Sequence, residues 1–144
     1  MKKSLFLAVL VLSAPSLAMA HVSVRPRESK PGAEERYVVR VPTEGAVTTT
    51  SVRIEVPEGV TVLGVEKVEG ATFETEKRGD RIVGITWKEE IRPKEASEFS
   101  FRARNPSKGA AVLWKAHQYF ADGTAADWVG PAGDRRPAAT TKLQ

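Results

Sequence analysis

Apolar side chains fall at every second position over much of the chain. Tyr37, Val39 and Val41 alternate with Arg36, Val38 and Arg40, and Val52, Ile54 and Val56 share one face of the run from Ser51. A period of two belongs to strands with one buried face. Further β-like runs cover Val60 to Val68, Thr72 to Lys77, Arg81 to Trp87, Glu98 to Arg104 and Ala111 to Phe120. Turn residues punctuate them as PTEG (42–45), PEG (57–59), RGD (78–80), NPSKG (105–109) and ADG (121–123). No stretch sustains a helical period. The pattern predicts an all-β antiparallel β-sandwich of immunoglobulin-like or cupredoxin-like type. It forms one domain over residues 21–144, with 130–144 expected as a less ordered or edge-strand tail.

The first twenty residues break this pattern. Lys2 and Lys3 precede an apolar run, Leu5 to Leu12, and Ala18-Met19-Ala20 supplies small residues before His21. The run is too short to cross a bilayer, which needs roughly 20 apolar residues. This is the layout of a secretory signal cleaved between Ala20 and His21. No second membrane anchor is expected, and the mature protein is placed in a periplasm or outside the cell.

Removing 20 of the 144 residues leaves 124, enough for one core, and takes two of the 22 basic residues but none of the 18 acidic ones. The near balance that results, with alternating signs, argues against nucleic acid or an anionic membrane as partner. There is no Cys, and both Met residues precede His21. The fold must therefore hold without disulfides. Thiolate zinc, iron–sulfur, blue-copper and soft Cu(I) sites lack their ligands.

Most sites of chemistry are missing too. There is no Gly-x-Ser-x-Gly elbow and no phosphate-cradling Gly-rich loop, so no catalytic or organic-cofactor residue is assigned. Arg78-Gly79-Asp80 reads as the bend of a hairpin and not as an adhesion motif. His117, one of only two histidines, alternates with Trp114, Ala116 and Gln118. It should face away from Trp114, which like Trp87 is expected in the core because alternating strand positions bury indoles, and so be a surface or edge-strand residue.

His21 differs because of what a first residue offers. A free α-amine titrates near 7.7–8.0 and an imidazole near 6.5, so both are available as neutral donors near pH 7. Together they close a six-membered chelate suited to Cu(II), which prefers nitrogen and oxygen in a tetragonal plane. A carboxylate can fill a third position.

The stretches HVSVRPRESKPG, YVVRVPTEGAVTTTSVRIEVPEGV, ITWK, VLWKAHQYFADGTAADWVG and RPAATTKL occur in that order. Together they resemble the YcnI-like family of exported copper-binding domains over essentially the whole mature chain. The resemblance implies a cupredoxin-like sandwich holding one Cu(II) per chain at a single N-terminal histidine. It implies that His21 supplies amine and imidazole, that Glu44 supplies the carboxylate, and that Trp128 lays its indole beside the metal. Glu28, Glu34 and Glu35 are competing carboxylates, and Asp127 is a candidate acceptor for an imidazole or indole N–H. The function implied is copper trafficking or homeostasis, with an inner-membrane copper transporter or another periplasmic copper carrier as partner. Two alternatives stand beside it. One is a copper-dependent oxidative enzyme of the polysaccharide monooxygenase type, which would want a second imidazole. The other is a metal-free immunoglobulin-like interaction domain.

Overall fold

In the computed structural model, residues 21–144 are described, and the expected signal segment lies outside them. The alternating runs become strands β3 (Glu34–Pro42), β4 (Thr49–Glu55), β5 (Thr61–Val65), β6 (Thr72–Arg78), β7 (Arg81–Ile91) and β8 (Ala96–Arg104). The pattern gives no warning of β1 (Ser23–Arg25), β2 (Glu28–Ser29), β11 (Ala125–Trp128) or β12 (Ala139–Leu143). No helix forms among the described residues.

The run 111–120 is two strands, β9 (Ala111–Trp114) and β10 (Ala116–Phe120), parted at Lys115. The chain changes sheets there, since β9 pairs with β12 while β10 pairs with β4 and β11. Val112, Trp114, Ala116 and Gln118 stay buried across the break. The alternation therefore runs on where the pairing does not.

Three sheets result, ordered β1-β3-β8-β5, β11-β10-β4-β7-β6 and β2-β12-β9. Named strand pairs are antiparallel except the short parallel match of β12 with β2. The tail expectation needs correcting. Residues 139–143 form the central strand of the third sheet, with Thr141 and Leu143 buried. Their alternation of buried and exposed positions spans only five residues beside a Pro- and Gly-containing stretch, too short for a strand signal. The RGD stretch is a hairpin bend, as expected. Arg78 pairs with Arg81, and Gly79 adopts a φ of +64° that favours glycine.

Inward-facing aromatics from the first two sheets meet those of β9. Trp87 stacks on Phe99 with centroids 5.3 Å apart, and Tyr37 lies 5.5 Å from Phe101 and 4.8 Å from Trp114. Trp87 and Trp114 are core residues, as their place in the alternation suggested. Burying such rings is the main stabilising term available to a chain without disulfides. Their polar ends are largely accounted for. Trp114 Nε1 donates to Thr141 Oγ1 (3.1 Å), which donates to the Pro26 carbonyl (2.8 Å). The Tyr37 hydroxyl donates to Asn105 Oδ1, while Asn105 Nδ2 donates to Ser29 Oγ and the Lys30 carbonyl. Burial and the nearby charge of Glu35 outweigh the lowering effect of hydrogen bonds with Asn105 and Thr141, and the Tyr37 phenol is pushed up to about 12.

Asn105→Ala strips the acceptor from a fully buried phenol and frees the segment carrying Ser29. Urea denaturation should register a loss of about 2–3 kcal/mol with little change in slope.

Candidate metal centre

Pairing register is what brings His21 to its neighbours. Strand β1 runs antiparallel to β3, with Ser23 opposite Arg40 and Val24 opposite Val39. Continued for two residues, that register sets His21 alongside Pro42, two residues before Glu44. Val22 and Val24 anchor the segment by pointing into the core. After Pro42 the chain leaves β3 for the loop that leads to β4 at Thr49, and Glu44 stands exposed on it. Trp128 arrives from the other sheet, at the end of β11 and opposite Ala116 of β10.

The three residues named for the site line one cavity of about 380 Å³. The His21 imidazole and the Trp128 indole are 5.5 Å apart between centroids and tilted by 53°. Trp128 is buried with its core-facing body among apolar residues, so only part of the ring meets the cavity.

Gln118 fixes that ring, and the sequence reading gave it no role. It is 2% exposed, and its Oε1 accepts the Trp128 indole N–H at 3.1 Å. Its Nε2 donates to the Pro42 carbonyl at 2.9 Å and to Thr49 Oγ1 at 2.8 Å. Thr49 shares a further hydrogen bond with Thr43, which donates to the Ile91 carbonyl. One amide thus ties the Trp128 wall of the cavity to the His21–Glu44 wall. The signal was present: an amide among Trp114 and Ala116 on a buried strand face needs internal partners.

The other candidates lie elsewhere. Asp127 does accept from an imidazole, but from His117 and not His21. It follows Ala126 and precedes Trp128, and strand alternation sends it to the outer face. His117 sits there with Nδ1 2.7 Å from Asp127 and Nε2 2.8 Å from Glu55. It faces away from Trp114 as expected, though β10 is flanked on both sides and is no edge strand. Glu34 pairs with Arg102 and Arg104, and Glu35 accepts from Ser29. Neither of them, nor Glu28, lines the cavity.

His117 has a shifted titration. Partial burial disfavours its imidazolium, but the hydrogen bonds and charges of Asp127 and Glu55 outweigh this and raise its pKa.

Among the described residues, no three His, Cys, Asp or Glu side chains converge as a metal site. His21 and Glu44 supply one imidazole and one carboxylate. A metal here would take a further donor from the main chain, and a chain beginning at His21 has an amine in that position. Amine, imidazole and carboxylate are all nitrogen and oxygen donors, the set that suits Cu(II).

Comparison with known proteins adds to this picture. The model of a family described as "Domain of unknown function (DUF1775)" matches residues 21–143. The chain is 34% identical over 139 residues to the copper-binding protein CutI of Bacillus subtilis (strain 168), covering 94% of this chain and 67% of that protein. Among solved structures, an uncharacterized Nocardia farcinica protein with an immunoglobulin-like fold aligns with a TM-score of 0.75 at 23% identity, over 86% of this chain and 98% of the other. A non-cellulosomal cohesin from Archaeoglobus fulgidus aligns with a TM-score of 0.51 at 11% identity, over 86% and 90%. The fold is an immunoglobulin-like β-sandwich.

Two expectations follow from the side chains around the cavity. Gln118→Leu strands the Trp128 N–H and the Pro42 carbonyl, and should lower unfolding free energy by about 2–4 kcal/mol in a denaturant titration. For His117 the folded pKa exceeds the unfolded value, so its contribution is complete below about pH 6.5 and fades as pH rises through the folded pKa. His117→Gln should therefore cost about 0.5–1 kcal/mol in acid and less in alkali, as seen in melts across that range.

Proposed function

The chain belongs to the DUF1775 family, and we propose that it is an exported copper-binding protein that holds one Cu(II) at a histidine made N-terminal by cleavage. His21 provides the amine and the imidazole, and Glu44 the carboxylate that offsets part of the metal's charge. Trp128 covers one side, where an indole face near a cation adds about 0.5–2 kcal/mol and keeps water out. One observation carries this reading: His21, Glu44 and Trp128, from three distant parts of the sequence, line a single cavity. Two others support it. The family match begins at His21, and a relative at 34% identity is a copper-binding protein.

The role is copper handling in the periplasm or outside the cell, and not catalysis. The cavity offers one imidazole, while His117 is held by Asp127 and Glu55 on the opposite face of its strand. A two-histidine oxygen-activating site is thus not supported. An inner-membrane copper transporter, or another periplasmic copper carrier, is the partner to which copper is passed or from which it is received. With no Cys or Met after residue 20, the chain offers Cu(I) no soft ligand, and reduction would favour release.

The test is a pair of chains, one starting at His21 and one at Ala20, each given one equivalent of Cu(II). A type-2 EPR signal with nitrogen coupling, and tight binding in a competition titration, should occur only in the His21 chain. Glu44→Gln should weaken that binding by about 10–100-fold, the loss of one charge-assisted ligand. Equal weak binding by both chains would overturn the reading in favour of a metal-free interaction domain.

A further inference from the structure

The cavity has a wall that the copper reading does not use. Residues 129–138 form a loop closed on itself. Gly130 N–H donates to the Arg136 carbonyl and Ala138 N–H to the Gly130 carbonyl, each at 2.9 Å. Asp134 N–H donates to the Pro131 carbonyl, and Asp134 Oδ1 accepts the Arg136 N–H at 3.2 Å. The Asp134 side chain packs so closely on Gly130 that a Cβ there would lie 2.7 Å from its Cγ. A loop braced at this many points presents Arg135 and Arg136 at a fixed place, and both line the cavity with His21 and Glu44.

Neither guanidinium makes an ion pair or side-chain hydrogen bond with another described residue. Both also border an outer depression with Asp127 and Asp134, but they reach neither carboxylate as an ion pair. Inside the cavity Glu44 is the single acidic side chain. With a divalent cation beside Glu44, the charge facing this space would be two arginines and a dication against one carboxylate. Arg135 and Arg136 are exposed at the mouth of this open cavity, and an excess of positive charge lining a cleft attracts an anion. Amine, imidazole and Glu44 would supply three donors to Cu(II), which takes four in a tetragonal plane.

The remaining lining identifies the anion. Ala46, Val47, Phe120 and Ala126 face the same space, which suits a small apolar body in place of the hydration shell that an inorganic anion carries. A planar carboxylate matches the fork of a guanidinium in a bidentate pair. We propose that the cavity binds a small organic carboxylate, held by Arg135 and Arg136 and offered to the copper as its fourth donor. This rests on the copper reading above, and it makes copper retention stronger when a second small molecule is bound. In carboxylate-free solution the arginines oppose the metal, and with a carboxylate bound they hold it.

The experiment uses the chain starting at His21, loaded with Cu(II) in carboxylate-free buffer and titrated with propionate labelled with ¹³C at the carboxyl carbon. Propionate should change the copper EPR spectrum and produce a ¹³C coupling in ENDOR. In Arg135→Ala/Arg136→Ala its affinity should fall at least about tenfold, with partial recovery in the Lys/Lys variant, which keeps charge without the fork. Without propionate, copper affinity of the double alanine variant should not fall. Copper bound normally, but with no ¹³C coupling or with equal propionate affinity in both proteins, overturns this inference alone. A chain that takes up no copper in carboxylate-free buffer overturns the copper reading and this inference with it.

Discussion

Gln118 sits where two sheets meet, and an amide without access to water must find partners for both of its ends. Its oxygen takes the indole N–H of Trp128, and its nitrogen takes the carbonyl of Pro42 and the hydroxyl of Thr49. Each partner belongs to a different strand, β11, β3 and β4. Leaving any of them unpaired at that depth would cost about 1–3 kcal/mol. The amide therefore acts as a spacer of fixed length between the end of β3, where His21 and Glu44 stand, and the strand that carries Trp128. The cavity exists at the size it has because these walls are held apart by a hydrogen-bonded side chain instead of closing on an apolar one.

The rest of the sandwich supplies the rigidity that this spacer needs. Tyr37, Trp87, Phe99, Phe101 and Trp114 fill the space between the sheets with rings in contact. Long antiparallel pairing of β3 with β8 and of β4 with β7 fixes the strands behind them. On the outer face, His117 between Glu55 and Asp127 ties β11 through β10 to β4. The same short strand thus holds its neighbour by an amide on one face and an imidazole on the other.

Much of this was legible in the sequence, and the parts that were not share a cause. Strands long enough to alternate several times, such as β3 and β4, declared themselves. So did the hairpin at Gly79 and the burial of Trp87 and Trp114. The short strands β1, β2, β11 and β12 did not, because a period of two cannot be recognised over so few positions outside a longer alternating run. The change of sheet at Lys115 was hidden because burial alternates straight through it. At the site, the residues that resemblance singled out do line one space, whereas Asp127, expected to accept from an imidazole or indole N–H, does so from His117 on the outer face of the sheet, where strand parity sends it. Gln118 fell on the face of Trp114 in the alternation, but its role was missed because a period of two does not say which partners a buried amide finds. Arg135 and Arg136 fell in a tail expected to have little order.

The third sheet bears on when the molecule becomes complete. Residues 141–144 bond directly to the segment just after His21: Thr141 to Pro26, Lys142 to Arg27 and Gln144 to Ser29. Synthesis runs from the N-terminal side, so the stretch that carries His21 emerges early and waits for these partners until residues 141–144 have followed. Contacts this distant in sequence form late and slowly, because a loop spanning nearly the whole domain must close first. The segment that follows His21 is thus seated in part by residues 141–144. A polypeptide that has not yet grown as far as residues 141–144 would have His21 in hand but not the strand that holds the segment after it.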